Sequence, residues 1–192
     1  MKFHIYLFRH GQTTFNRDKR FTGWLDAKLT PLGIKQAKKV ASKLKNKQID
    51  IAVQTTLSRS KDTLNYVLKY HPECRKVMTD NRMIERSYGN FEGKYHKDII
   101  AKYGKEKFDK WHRDYDFPPP KGESIKMVER RVKEFIKDTL IFMKKYKMNV
   151  AISAHGNSMR PFRRYFEKLS VKEMMKLENP YDDYFEYTIN VK

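Results

Sequence analysis

Phe3-His4-Ile5-Tyr6-Leu7-Phe8-Arg9-His10-Gly11 is an apolar run of strand length that stops at a glycine and a polar loop. In an open α/β sheet the carboxyl ends of the strands form the edge where ligands bind, so this run puts His10 on that edge. Imidazole is substantially neutral and nucleophilic near pH 7, and the guanidinium of Arg9 beside it can hold phosphate oxygens in a bidentate grip. Taken alone, Arg-His-Gly also fits a histidine that merely ends a strand. A second run, Asn149-Val150-Ala151-Ile152-Ser153-Ala154-His155-Gly156-Asn157-Ser158, repeats the pattern. Parallel neighbouring strands would bring the two histidines and several arginines together at one sheet edge.

Between these runs, strand and helix patterns alternate. Thr30-Pro31 reads as an N-cap followed by proline at the first helical position, and Leu32, Ala37, Val40, Ala41 and Leu44 form a helical stripe. Ile49 to Thr55 reads as a second strand. It hands over to a helix running towards Tyr70, whose start carries Ser58, Arg59 and Ser60, with either serine a plausible cap and the whole a natural anion site. Lys76 to Thr79 is a third strand, and strand, helix, strand alternation argues for parallel pairing. Ser124 caps a long helix with apolar positions at Val128, Val132, Phe135, Ile136, Thr139, Leu140 and Met143, and Asp182 to Val191 reads as a closing edge strand or hairpin. The expected fold class is α/β, a three-layer α/β/α arrangement on a mostly parallel central sheet. At 192 residues the chain reads as one domain, 1–192. A cap-like segment around 83–123 contains Glu85-Arg86, a helical spacing of Ile99, Tyr103 and Phe108, and the stiff Pro118-Pro119-Pro120.

Composition bounds the function classes. No apolar run approaches membrane-spanning length and the N-terminus lacks signal-peptide order, so a soluble chain is expected. The single cysteine, Cys74, and the absence of clustered His/Cys pairs point to the cytoplasm and away from structural zinc; no metal site is visible. Lys plus Arg number 42 against 23 Asp plus Glu, a net charge of +19, which raises nucleic-acid binding as a rival reading. Lys35, Lys38, Lys39 and Lys43 lie largely opposite the apolar stripe of their helix, as on a solvated face, and no zinc-finger, RRM or KH signature accompanies the charge. Glu85, between Ile84 and Arg86, is a candidate general acid or base or else half of an ion pair with Arg86.

Arg9-His10-Gly11, Asn16, Arg20-Phe21-Thr22-Gly23-Trp24, Leu29-Thr30-Pro31-Leu32-Gly33, Ser58-Arg59, Glu85-Arg86 with Tyr88-Gly89, Trp111 and His155-Gly156-Asn157-Ser158-Met159-Arg160 together carry a family pattern. The chain resembles the histidine phosphatase superfamily, and within it the cofactor-dependent phosphoglycerate mutases. The resemblance implies His10 as the nucleophile that becomes a phosphohistidine and Glu85 as proton donor, with Arg9, Arg59 and His155 gripping the phosphoryl group. It implies that Asn16, Arg20, Thr22, Gly23, Arg86, Tyr88, Arg113, Gly156 and Asn157 bind the rest of a small phosphorylated substrate. It further implies 2,3-bisphosphoglycerate as phosphoryl primer, no metal, interconversion of 3- and 2-phosphoglycerate in glycolysis and gluconeogenesis, and a monomer or homodimer. The sequence departs from the larger mutases in a short Pro118–Ser124 connection, in ending at Lys192 without a covering tail, and in having His96 and His112 where a lysine and an arginine align. These departures, and Gly122-Glu123-Ser124, favour the alternative of a phosphomonoester phosphatase of the same superfamily.

Overall fold

A computed structural model describes residues 1–191. Five strands, β1 (Lys2–Arg9), β2 (Ile51–Gln54), β3 (Lys76–Thr79), β4 (Val150–Ala154) and β5 (Tyr184–Asn190), form one sheet in the order β3-β2-β4-β1-β5. All neighbours are parallel except β5, which runs antiparallel to β1. The two histidine runs are therefore adjacent strands. Their register pairs Leu7 with Ile152 and Arg9 with Ala154, and the His10 amide donates to the Ala154 carbonyl at 3.1 Å.

Alternation along the strands splits the core into two layers. Ile5, Leu7 and Ile152 face Val128, Val132 and Phe135 of α6 (Ile125–Tyr146) and Met159 and Phe162 of α7 (Gly156–Glu167). Tyr6, Phe8 and Ala151 face Val40 and Leu44 of α2 (Pro31–Leu44) and Leu64 and Val67 of α3 (Ser58–Leu68). Each large aliphatic or aromatic side chain fully buried this way contributes about 1.5–3 kcal/mol. The result is the expected three-layer α/β/α arrangement. Among the described residues no helix is long and apolar enough to cross a membrane.

Two details correct the sequence reading. Leu32, assigned to the buried stripe of α2, is 49% exposed, and Gly33 is buried in its place. A Cβ on Gly33 would lie 2.0 Å from the Gln12 carbonyl oxygen, and one on Gly11 would lie 2.1 Å from that of Gly33. Only glycine permits this backbone contact, which seats the loop after His10 against α2. Secondly, neither Ser58 nor Ser60 caps α3. Leu57 holds the cap position, while Ser58 Oγ donates to Asp26 and Ser60 Oγ to the Ser153 carbonyl, tying α3 to β4.

The segment around 83–123 carries α4 (His96–Tyr103), α5 (Lys105–Arg113) and a third apolar cluster of Phe21, Tyr88, Phe91, Ile99, Phe108 and Trp111. Phe21 enters it from the first loop. Tyr103 sits on the rim of this cluster, partly exposed, with its ring edge-on to Trp111 at 5.2 Å. A single helical turn, α1 (Thr14–Arg17), follows the first strand, and α8 (Val171–Lys176), with a capping box at Ser170 and Glu173, precedes the last.

Candidate active site

At the carboxyl edge of the sheet the rings of His10 and His155 lie 5.0 Å apart, both buried. Nδ1 of His10 is 2.7 Å from the Gly11 carbonyl, which can only accept. The proton therefore resides on Nδ1 and the lone pair on Nε2. Burial, then Arg59 and Arg9, hold the His10 pKa well below its usual value, so the ring stays neutral. His155 is depressed in the same way, by burial first and by Arg59 and His10 next. Its Nε2 is 2.8 Å from Thr55 Oγ1, and its Nδ1 is buried with no partner among the described residues.

Arg59, in the first turn of α3, is 1% exposed and donates Nη1 to the Leu25 carbonyl and Nη2 to the Gly23 carbonyl at 2.9 and 2.8 Å. Burial lowers its pKa to about 10, so it is charged at neutral pH. Nε of Arg59 and Nε of Arg9 are both buried without a partner among the described residues. Glu85 Oε1 accepts the backbone N–H of Arg86 at 2.8 Å and of Asn157 at 3.1 Å, the latter in the first turn of α7, where the helix end favours negative charge. One ligand-type atom each from His10, Glu85 and His155 falls within a 4.8 Å cluster, a convergence the sequence spacing does not reveal. Three such atoms could in principle hold a cation. The guanidiniums of Arg9 and Arg59 beside them, with unpartnered Nε–H groups, instead complement an anion with several acceptor oxygens.

A cavity of about 890 Å³ opens here, and Arg9, Glu85, Asn16, Arg20, Thr22, Gly23, Tyr88, Arg113, Gly156 and Asn157 all line it. Asn16 Oδ1 accepts from the Thr13 amide and hydroxyl, which fixes its carboxamide. Arg20 lies over the Phe15 ring at 4.0 Å and donates Nε to the Gly93 carbonyl at 2.7 Å. Gly23 has φ +52°, and a Cβ there would sit 2.1 Å from Glu92 Oε1, so its carbonyl can turn towards Arg59 only because it is glycine.

Arg86 is not among the residues that line this cavity. It is fully buried away from the cavity, donating Nε to the Glu123 carbonyl at 2.6 Å and Nη2 and Nη1 to those of Trp111 and His112 at 2.8 and 3.3 Å. These carbonyls end α5 and the proline connection, so Arg86 satisfies backbone groups that would otherwise be orphaned and clamps the segment shut.

Two features escaped assignment to the site. Arg160, one turn beyond Gly156, lines the cavity and places Nη1 3.4 Å from Asn157 Oδ1; its i+4 spacing from Gly156 was a usable signal. The loop Leu177–Tyr181 forms a wall, with no local sequence mark to announce it. His96 and His112 also face the cavity, 5.2 Å apart and packed on Phe21 at 4.4 and 5.8 Å. Burial, then His96 and Arg113, lowers the His112 pKa to about 4, and burial also lowers that of His96. That wall is uncharged at neutral pH.

Comparison with known proteins agrees with this geometry. Residues 5–189 match the family described as histidine phosphatase superfamily (branch 1). A 2,3-bisphosphoglycerate-dependent phosphoglycerate mutase of Nitrobacter winogradskyi is 37% identical over 178 residues, covering 91% of this chain and 86% of its own. The enzyme of the same description from Parvibaculum lavamentivorans is 35% identical over 176 residues, covering 90% and 84%. Among solved structures, a mycobacterial glucosyl-3-phosphoglycerate phosphatase superposes with a TM-score of 0.84 at 25% identity, covering 98% of this chain and 91% of that one. With paired strand-end histidines, a neutral nucleophilic Nε2 and a match along nearly its whole length, the chain belongs to branch 1 of the histidine phosphatase superfamily.

Proposed function

We propose that the chain transfers phosphoryl groups through a phosphohistidine at His10, acting as a 2,3-bisphosphoglycerate-dependent phosphoglycerate mutase with a substantial hydrolytic leak. The observation that carries this reading is the neutral Nε2 of His10 beside two guanidiniums whose Nε–H groups have no described protein partner. Nε2 attacks phosphorus as the P–O bond breaks, and Glu85 delivers the proton to the leaving oxygen. Arg9, Arg59 and His155 hold the equatorial oxygens, His155 through Nδ1–H once the Thr55 hydroxyl donates to its Nε2. In the second half the acceptor hydroxyl gives its proton to Glu85 and attacks phosphorus, and the P–N electron pair returns to Nε2. Arg20, Arg113 and Arg160 supply the cationic contacts for a small phosphorylated acid. The mutase reading draws on the relatives at 35–37% identity, which bear that description.

A second reading, a phosphomonoester phosphatase, is favoured by His96 and His112, which are neutral at neutral pH and leave the cationic contacts of the lining to Arg20, Arg113, Arg160 and Lys176. The test follows label from 2,3-bisphosphoglycerate in saturating monophosphoglycerate. Interconversion of the 2- and 3-isomers through an acid-labile, alkali-stable phosphoenzyme, absent in His10→Ala, is expected. Label appearing only as inorganic phosphate selects the phosphatase, and full activity in His10→Ala overturns both readings.

A further inference from the structure

The loop Leu177–Tyr181 joins α8 to β5 along one side of the cavity, and the protein fastens it closely. The Leu177 carbonyl accepts Arg160 Nε at 3.2 Å and the Glu178 carbonyl accepts Arg163 Nη1 at 2.9 Å. Asn179, buried despite its loop position, accepts Arg163 Nη1 at Oδ1 (3.1 Å) and donates Nδ2 to the Gly156 carbonyl (2.9 Å).

What this anchoring delivers is a fixed setting for Arg9. The Asn179 carbonyl accepts Nη1 of Arg9 at 3.1 Å, and the Tyr181 ring lies over the guanidinium, with Cζ 3.9 Å from its centroid. Gly156 supports the same group, since a Cβ there would stand only 3.3 Å from Cζ. A guanidinium stacked on a ring and bonded at Nη1 keeps its plane, and its buried Nε–H is left without a partner among the described residues. The same ring stands 6.3 Å from the imidazole of His10.

Resting on the phosphohistidine reading above, we infer that Tyr181 is a positioning residue that holds Arg9 and shields phosphorylated His10, setting the partition between acceptor and water. Hydrolysis and transfer share one step: an oxygen attacks phosphorus, the P–N bond breaks with its electron pair returning to Nε2, and the attacking oxygen's proton passes to Glu85. Only the attacking hydroxyl differs. Removing the ring admits water beside the phosphorus and loosens Arg9, so it lowers transfer relative to hydrolysis.

The experiment isolates the phosphoenzyme labelled from 2,3-bisphosphoglycerate and follows its decay in buffer, then its partition between saturating 3-phosphoglycerate and water. Tyr181→Leu should decay roughly tenfold faster in buffer, as loss of a contact worth about 1.4 kcal/mol would give, and release correspondingly more inorganic phosphate in the chase. Tyr181→Phe should match wild type, because the ring face makes the contact. Tyr181→His, a flat but shorter ring, should fall between and serves if Tyr181→Leu does not fold. Decay and partition in the Leu and His variants equal to wild type overturn the inference while leaving the phosphohistidine intact. Failure of wild type itself to take label overturns the underlying reading instead.

Discussion

Glu85→Gln separates proton delivery from structure. Oε1 of Glu85 accepts two backbone N–H groups, from Arg86 at 2.8 Å and Asn157 at 3.1 Å, and a glutamine carbonyl can accept both in the same place. A hydrogen bond to a charged group is worth about 1.5–3 kcal/mol against about 0.5–1.5 for a neutral pair, so the exchange costs about 1 kcal/mol per bond and about 2 in all. For a chain of this size that is a Tm drop of about 4–8 °C, and the fold persists. The chemistry loses more, since an amide cannot deliver the proton, and a general acid contributes ~10²–10⁴-fold, or about 2.7–5.4 kcal/mol. That loss falls only on leaving groups that need a proton. The assay compares kcat/KM for a phosphoglycerate, whose alkoxide leaves poorly, with that for p-nitrophenyl phosphate, whose phenolate leaves unaided. A loss of two or more decades on the first and less than about one on the second is expected. Equal losses on both would refute the acid–base role and leave Glu85 as a tie between Arg86 and α7.

Arg59→Met removes the larger of the two charges that depress His10, so the acid limb of the pH–rate profile should move up towards pH 6.5; protonated His10 lacks the lone pair, and activity is lost as pH falls through its pKa, so an unmoved limb would discount Arg59. The same variant should lower kcat by ~10²–10³-fold through loss of oxygen stabilisation, measured at pH 8 where His10 is neutral in both proteins. Activity should survive exhaustive dialysis against EDTA, because Arg9 and Arg59 flank the only cluster of three ligand-type groups found among the described residues; loss of activity restored by Mg²⁺, Mn²⁺ or Zn²⁺ would reassign that cluster to a metal. His96→Lys with His112→Arg should lower KM for 3-phosphoglycerate and raise the ratio of transfer to hydrolysis, whereas an unchanged ratio would show that the neutral wall does not face the acceptor.

Most of what could be read from the sequence was local, with the parallel pairing of the two histidine runs the long-range exception. Apolar runs ending in His-Gly mark strand ends because strand length, apolar composition and a terminating glycine are properties of consecutive residues, and β1 and β4 lie where those runs predict. The cap at Thr30 and the long helix after Ser124 are legible for the same reason. Leu32 failed because a stripe drawn at helical spacing has a margin. Which side of the margin is buried depends on Gly33 pressing against Gln12, a contact between separate elements. Phe21 completes the cluster around Phe91 and Trp111 from a distant loop, and Leu177–Tyr181 becomes a wall only once α8 turns the chain back over α7. Arg86 is a different case, since its place beside Glu85 in sequence marks a candidate ligand-binding residue and only its tertiary partners, the carbonyls of Glu123, Trp111 and His112, set it outside the cavity lining.

Arg86 also explains how the site divides its charge. An arginine acts on a ligand only through N–H groups that the protein leaves free. Arg86 turns all three of its nitrogens to backbone carbonyls, whereas Arg9 and Arg59 each bond through Nη groups and leave a buried Nε–H without a described partner. The first kind of arginine ties the chain together and the second kind keeps a donor to spare. Arg9 and Arg59 lie close enough to His10 to depress its pKa, while the cavity lining mixes the neutral imidazoles of His96 and His112 with the cations of Arg20, Arg113, Arg160 and Lys176. On the proposed reading the phosphoryl end of a ligand meets Arg9 and Arg59, and the rest of it meets a lining in which two positions are neutral imidazoles. On that reading two neutral imidazoles in the lining weaken the hold on an acceptor's carboxylate, and water competes whenever the acceptor leaves. On the proposed reading the balance between transfer and hydrolysis then rests less on His10 and His155 themselves than on what stands over them, where the Tyr181 ring lies.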